Sequence, residues 1–236
     1  MNRTDKLKNK LKTEQTHDFN SLRELVEVLR SEGGCPWDRE QTHESIRADL
    51  IEETYEVIEG IDNKDPHLMQ EELGDVMFQV MFHSRIEEEE GHFTVDNVVN
   101  DICAKMILRH PHVFGDVEAE GTGEVLDNWD KIKKEEKSRR TTRESMQAVP
   151  KQLPTLMRVQ KIAKKARKGG YDFGTDADLA AKLQSLTMSL ATASDDEKQT
   201  ILNDIIFYSA VMSKTDTEKA VSDLTDDFIR NYREGE

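Results

Sequence analysis

Residues 49–82, DLIEETYEVIEGIDNKDPHLMQEELGDVMFQVMF, pose a chemical problem. Glu52, Glu53 and Glu56 fall within five positions. After fifteen intervening residues, Glu72 and Asp75 stand at the mouth of a run that is otherwise almost wholly apolar. At about 100° per residue the three glutamates share one arc of about 100° on a helix. Ile46, Leu50, Tyr55, Val57, Ile58 and Ile61 cover much of the remainder. Alone, EExxE reads as the solvated acidic face of an amphipathic helix. The second segment changes the weighing. In LGDVMFQVMF only Asp75 and Gln79 are polar, and the apolar residues point nearly all round the axis, the pattern of a buried helix. Glu72 lies one turn before Asp75, so the two carboxylates converge. A desolvated carboxylate is costly and two neighbours repel. No lysine or arginine lies between Gln70 and His83 to neutralise them. A shared divalent cation resolves the conflict. The five candidate ligands Glu52, Glu53, Glu56, Glu72 and Asp75 are hard oxygen donors, which suit Mg²⁺ or Mn²⁺ better than zinc or copper.

Such a site needs two antiparallel helices joined by a short turn. Helical spacing runs through the chain, and no alternating strand pattern is present. The spacing predicts helices over 19–31, 42–62, 67–90, 94–109, 123–140, 151–168, 177–193, 195–214 and 216–234. Gly33-Gly34 stops the first. Gly60, Asp62, Asn63 and Pro66 mark the turn of the acidic hairpin, Gly91 ends the third helix, and RHPHVFGD breaks the fourth. Residues 1–18 read as a polar, flexible leader without the apolar centre of a signal peptide. The polar stretch 136–150 reads as a linker, with a boundary near 145 that separates a domain 19–145 from a domain 146–236.

The two halves resemble each other weakly. GGCPWD at 33–38 is echoed by GGYDF at 169–173, and ELGDVMFQVMF by ILNDIIFYSAVM at 201–212. The pattern suggests duplication of one helical unit. The second copy reads as degenerate. Asp204 falls where Asp75 lies, but Ile201 replaces Glu72, and Gln184, Ser185 and Met188 replace Glu52, Glu53 and Glu56.

Bulk properties narrow the class. The net charge of −15 over 236 residues repels nucleic-acid backbones, so no nucleic acid polymer is expected as partner. No apolar run reaches the roughly 20 residues of a membrane span. Cys35 and Cys103, neither in a CxxC, fit a reducing cytoplasm and argue against a disulfide framework or a zinc site. A di-iron bundle wants ExxH on two helices. Here ExxH occurs as Glu14–His17, in the leader, and as Glu89–His92, interrupted by Gly91, neither well placed.

GCPWDREQTH, IEETYEVIEGID, EELGDVMFQVMFH, RHPHVFGD and VLDNWDKIKKEEK together resemble the MazG family of nucleoside triphosphate pyrophosphohydrolases. The likeness is dense from about 19 to 140 and thins beyond. It implies an all-α helical bundle of the NTP pyrophosphatase type, Mg²⁺ dependence, a homodimer, and hydrolysis of an NTP to NMP and pyrophosphate, in nucleotide-pool sanitation or control. Carried over by position, the resemblance makes Glu52, Glu53, Glu56, Glu72 and Asp75 the metal ligands. It makes Lys105, Arg109, Trp129 and Lys133 the substrate contacts. Lys105 and Arg109 are four apart, as are Trp129 and Lys133, which puts each pair on one side of its helix. The bland alternatives are a solvated face for the first pair and ordinary packing for Trp129. Trp37 either shapes a nucleotide pocket or anchors its loop in the core. His110 and His112 cap the turn around Pro111. A carboxylate not fully occupied by metal can take a proton from water, and Glu53 is assigned that role, with Glu52 nearly equivalent. A non-catalytic helical protein that binds nucleotide or a partner is the competing reading; it has no need of all five carboxylates.

Overall fold

A computed structural model describes residues 2–117, 121–125, 128–129, 132 and 141–232. Among these there is no β-strand, and the protein is all-α. The chain divides into two compact units, residues 1–133 and 134–236. The boundary expected near 145 therefore lies inside the second unit.

The first unit begins with α1 (Arg3–Thr13), where a frayed leader was expected. The Asn2 side chain accepts from Asp5 N–H to cap it. Arg3 grips Glu27 through two hydrogen bonds, Lys10 meets Glu24, and Lys8 donates to the Gly33 carbonyl. All these partners lie on or just beyond α2 (Phe19–Arg30), so the polar segment is ordered by charge rather than by apolar burial. A short helix α3 (Pro36–Glu40) follows, opened by Pro36 at its first position.

The acidic hairpin is α4 (Arg47–Asp62) and α5 (Pro66–Glu89). α4 starts later than the expected residue 42 because Thr42 and Ser45 exchange side-chain and backbone hydrogen bonds in a turn. Asp65 caps α5 through the His67 and Leu68 N–H groups. The two helices approach closely at Gly60, where a Cβ would lie 2.9 Å from the Met69 nitrogen and 3.0 Å from its Cα. α6 (Val95–Arg109) and α7 (Pro111–Phe114) follow, and residues 122–125 and 128–129 are also helical. Val26, Ile46, Met81, Phe82, Ile86 and Val95 form the core.

α5 is not buried all round, as its pattern led one to expect. Phe82 is 2% exposed, but Leu73, Met77 and Val80, at i, i+4 and i+7, face solvent. On α4 the stripe Ile51, Tyr55 and Ile58 does the same. A hairpin with α2 on one side covers only one face of its helices.

The second unit consists of α8 (Thr142–Gln147), α9 (Thr155–Lys168), α10 (Asp176–Leu190), α11 (Asp195–Met212) and α12 (Thr217–Asn231). α8 falls in the expected linker. It starts with a reciprocal capping box: Glu144 accepts from Thr141 N–H, and Thr141 Oγ1 accepts from Glu144 N–H. Ala163, Leu179 and Val211 are the centre of this unit's core, with Phe173, Phe207 and Tyr208 packed against them.

Candidate active site

The carboxylates come together on facing sides of the α4–α5 hairpin. Glu53, Glu56 and Glu72 each offer an oxygen, and the three atoms lie within 4.8 Å of one another. Glu72 is 8% exposed, and Glu53 and Glu56 are half-buried. The local cause is helical geometry: Glu53 and Glu56 are about 60° apart around α4 at 100° per residue, and both look towards the first half of α5. Glu52 sits on the far side of Glu56 and is exposed. Asp75 is exposed too, yet it bears on both Glu53 and Glu72 through its charge. Three of the five expected ligands thus form the group, Asp75 adjoins it, and Glu52 stands outside.

Electrostatics shows what the group lacks. Burial raises the Glu53 carboxyl, and the charge of Asp75 and a hydrogen bond with Glu56 raise it further, to about 7. Glu72 is raised by burial and then by the charges of Glu56, Asp75 and Glu71. Shifts of this kind arise where negative charge is desolvated without a counter-charge. Hard oxygen donors at this spacing and this unbalanced charge fit a divalent cation such as Mg²⁺ or Mn²⁺.

The expected substrate contacts are more scattered. Lys105 is exposed on α6 and Arg109 ends that helix one turn later. The Trp129 ring lies 6.4 Å from that of His110, which brings it beside the end of α6 and so towards Arg109. His110 is itself fixed by a contact of 2.6 Å between its Nδ1 and the Met106 carbonyl. Lys133 lies outside the described residues. Trp37 is 61% exposed on α3, so it is no core anchor; its carbonyl accepts from the Gln41 side chain. In the second unit Gln184, Ser185, Met188 and Asp204 are all exposed, and no carboxylate group like that of the first is present among the described residues.

Sequence reasoning missed one cluster beside the hairpin: His43 and His83 meet at 2.7 Å, and His43 continues to Glu87. The signal was weak, since only His83 and Glu87, four apart on α5, share an element.

Comparison with known proteins fits this geometry. Residues 41–114 match the MazG nucleotide pyrophosphohydrolase domain, a span that contains the whole acidic hairpin. The chain is 36% identical over 222 residues to the nucleoside triphosphate pyrophosphohydrolase/pyrophosphatase MazG of Thermotoga maritima, covering 92% of this chain and 85% of that protein. It is 34% identical over 230 residues to the nucleoside triphosphate pyrophosphohydrolase of Escherichia coli K12, covering 93% and 88%. A 48% identity over 150 residues links it to the uncharacterized protein YabN of Bacillus subtilis, of whose length the match spans 30%.

Proposed function

We propose, from the premise that the chain belongs to the MazG family of nucleotide pyrophosphohydrolases and is a hydrolase of nucleoside triphosphates, that it cleaves its substrate between the α and β phosphates with the help of Mg²⁺. The products are then a nucleoside monophosphate and pyrophosphate. The observation that carries this reading is the convergence of Glu53, Glu56 and Glu72 within 4.8 Å, at a charge state that calls for a cation.

Glu53, Glu56 and Glu72 hold the ion, with Asp75 as the fourth oxygen donor. Glu52, being exposed, is the ligand least supported by the geometry. When bound, Mg²⁺ offsets the triphosphate's charge and makes a coordinated water more acidic. Glu53 is the general base, a carboxylate oxygen taking the proton of the attacking water. Lys105, Arg109 and Lys133 neutralise phosphate oxygens, and Trp129 stacks on the base or sugar. Trp37, exposed on α3, supplies a further aromatic surface to the nucleotide.

The protein works as a homodimer in which the apolar stripes of α4 and α5 are covered by a second copy. The second unit is a degenerate repeat that serves packing rather than chemistry. Removal of aberrant or excess nucleotides in the cytoplasm is the role that fits this reaction. No helix among the described residues is long and apolar enough to cross a membrane.

Chromatography of the products of a panel of NTPs and dNTPs, with and without Mg²⁺, is the test. Equal amounts of NMP and pyrophosphate, formed only with the metal, are expected. Accumulation of NDP and orthophosphate would sink the reading.

A further inference from the structure

Along α5, Glu72, Asp75, Gln79 and His83 share an arc of about 80° at 100° per residue. A polar stripe therefore runs from the carboxylates towards the second half of the helix. Its far end is a chain of short contacts. His83 Nδ1 lies 2.7 Å from His43 Nδ1, and His43 Nε2 lies 2.7 Å from Glu87 Oε1. The other Glu87 oxygen is 2.7 Å from His92 Nδ1. The two imidazole planes are 9° apart and their centroids 5.0 Å apart. That spacing equals the N···N contact plus a ring radius on each side, so the rings meet edge to edge, the geometry of an N–H···N bond. His83 Nε2 and Gln79 Oε1 are buried without a hydrogen-bond partner.

Proton counting limits what this pair can do. The Glu87 carboxylate accepts from His43 Nε2–H. A neutral His43 then has a bare Nδ1 and accepts from His83 Nδ1–H, which leaves His83 Nε2 bare. One added proton reverses the bond without breaking it: His43 Nδ1–H donates to His83 Nδ1, and His83 Nε2 carries the hydrogen. A second proton puts N–H on both Nδ1 atoms, and two donors cannot face each other at 2.7 Å. The other charged groups around the pair are few. Glu87 comes from α5, His92 from the following turn, and Glu44 adjoins His43 and feels its charge. Arg30 of α2 binds the Asp38 and Gln41 carbonyls and Glu89. Of α6, Asp96 is engaged by Arg23.

The position of the bond gives it a consequence. His43 lies in the turn that leads into α4, and His83 lies on α5. At the opposite end of the hairpin the backbones touch at Gly60 and Met69. The carboxylates lie between these two fixed points, Glu53 being ten residues beyond His43, with about 9 Å of helix between Arg47 and Glu53. We propose that His43 and His83 are positioning residues: their bond pins the start of α4 to α5, sets the distance of Glu53 and Glu56 from Glu72, and survives one proton but not two.

The first test uses the unaltered, metal-free full chain with ¹⁵N-labelled histidine, titrated from pH 8 to 5. At pH 8 one Nδ1 is protonated and its partner is not. Both rings then change together as the first proton enters, with the α4 amides in place, and the backbone amides at the start of α4 shift only when the second proton enters at lower pH. In His83→Asn the amide group can donate to or accept from His43 Nδ1 but takes no proton, so the α4 amides stay in place. Independent titration of the two rings overturns the proposal, as do α4 amides that move alike in both proteins. The second test reads Mn²⁺ affinity from the free-ion paramagnetic resonance signal. Carboxylate protonation weakens binding in both proteins. One pH unit below the second protonation, the wild type loses roughly tenfold more than His83→Asn, since about a tenth of its molecules remain pinned. Equal losses overturn the proposal. Only this arm rests on the metal reading: no Mn²⁺ binding at pH 8 counts against that reading, and the spectra still decide the histidines.

Discussion

With its carboxyl pushed up to about 7 by burial, Asp75 and Glu56, Glu53 is substantially protonated at neutral pH in the metal-free protein. Its folded value lies above the ordinary 4.5, so folding favours the protonated form. That contribution to stability is fully present below about 4.5 and is lost as pH rises through about 7. Thermal melts of metal-free protein between pH 4.5 and 8 should therefore show a decline that Glu53→Gln flattens and saturating Mg²⁺ removes. An unchanged slope in the variant would count against the assignment. Glu72→Gln and Asp75→Asn test the ligands themselves. Each keeps the side chain's shape while removing a charge, and each should lower activity by at least about a hundredfold, because residues that merely support metal ligands already cost about 10–100-fold. The metal-free Glu72→Gln protein should melt no lower than wild type, since a repelling charge is gone; a much lower melting point with lost activity would mark Glu72 as structural. The proximity of Glu53, Glu56 and Glu72 was legible in the sequence because period and residue type sufficed to place them on facing helices. That Glu52 stands outside the group was not, because an arc on one helix does not say which end of it the neighbour touches. The His43–His83 pair was invisible because its partners are forty residues apart and belong to different elements.

Between elements, the approach of α4 to α5 at Gly60 is decisive. A Cβ at Gly60 would stand 2.9–3.0 Å from backbone atoms of Met69, which cannot swing aside as a side chain can. Gly60→Ala gains up to about 1 kcal/mol of helix propensity, but forcing two packed helices apart costs about 1–3 kcal/mol. The expected net is destabilisation, with the carboxylates of α4 and α5 moved apart and Mg²⁺ affinity lowered. At Gly74, inside α5, an added methyl would meet nothing within 4 Å, so Gly74→Ala should stabilise the fold by up to about 1 kcal/mol. Urea denaturation of both variants checks the contrast, and a Gly60→Ala protein as stable as Gly74→Ala would refute it. The long helices were readable because apolar periodicity and stop signals agree, as at Gly91 and Pro66. α1 was not, because its order comes from Arg3, Lys8 and Lys10 reaching residues 14–25 positions away. α8 could have been read from Thr141 and Glu144, whose three-residue spacing is a helix start signal within a polar stretch.

At the scale of the molecule, the two units differ in charge. Residues 1–133 hold 15 Lys and Arg against 31 Asp and Glu, a net of −16, whereas residues 134–236 hold 18 against 17, a net of +1. The field that attracts a cation therefore belongs to the first unit. That unit also presents the exposed stripes Ile51, Tyr55, Ile58 and Leu73, Met77, Val80, which a homodimer would cover. Light scattering at micromolar concentration should give twice the 27.1 kDa chain mass, and Met77→Glu should halve it; a wild-type monomer would refute the dimer. The second unit also has a helical hairpin, without a carboxylate group like that of the first among the described residues. α10 and α11 pack together over Leu179 and Val211, as α4 and α5 do over their own core. Where the first hairpin has Glu53, Glu56 and Glu72, the second has Ser185, Met188 and Ile201, and Met188 is 70% exposed. In the proposed repeat alignment Asp204 is the one carboxylate at these positions, and one carboxylate cannot hold Mg²⁺ against water, because this ion wants several oxygens in octahedral array. All hydrolysis should then pass through the first unit. Glu53→Ala in the full chain should abolish pyrophosphate release, while Asp204→Ala should leave it within about twofold of wild type, as expected of an exposed surface change. Product chromatography of the two variants side by side decides the matter: residual wild-type activity in Glu53→Ala would mean that the second unit, or a different group of carboxylates, carries the reaction.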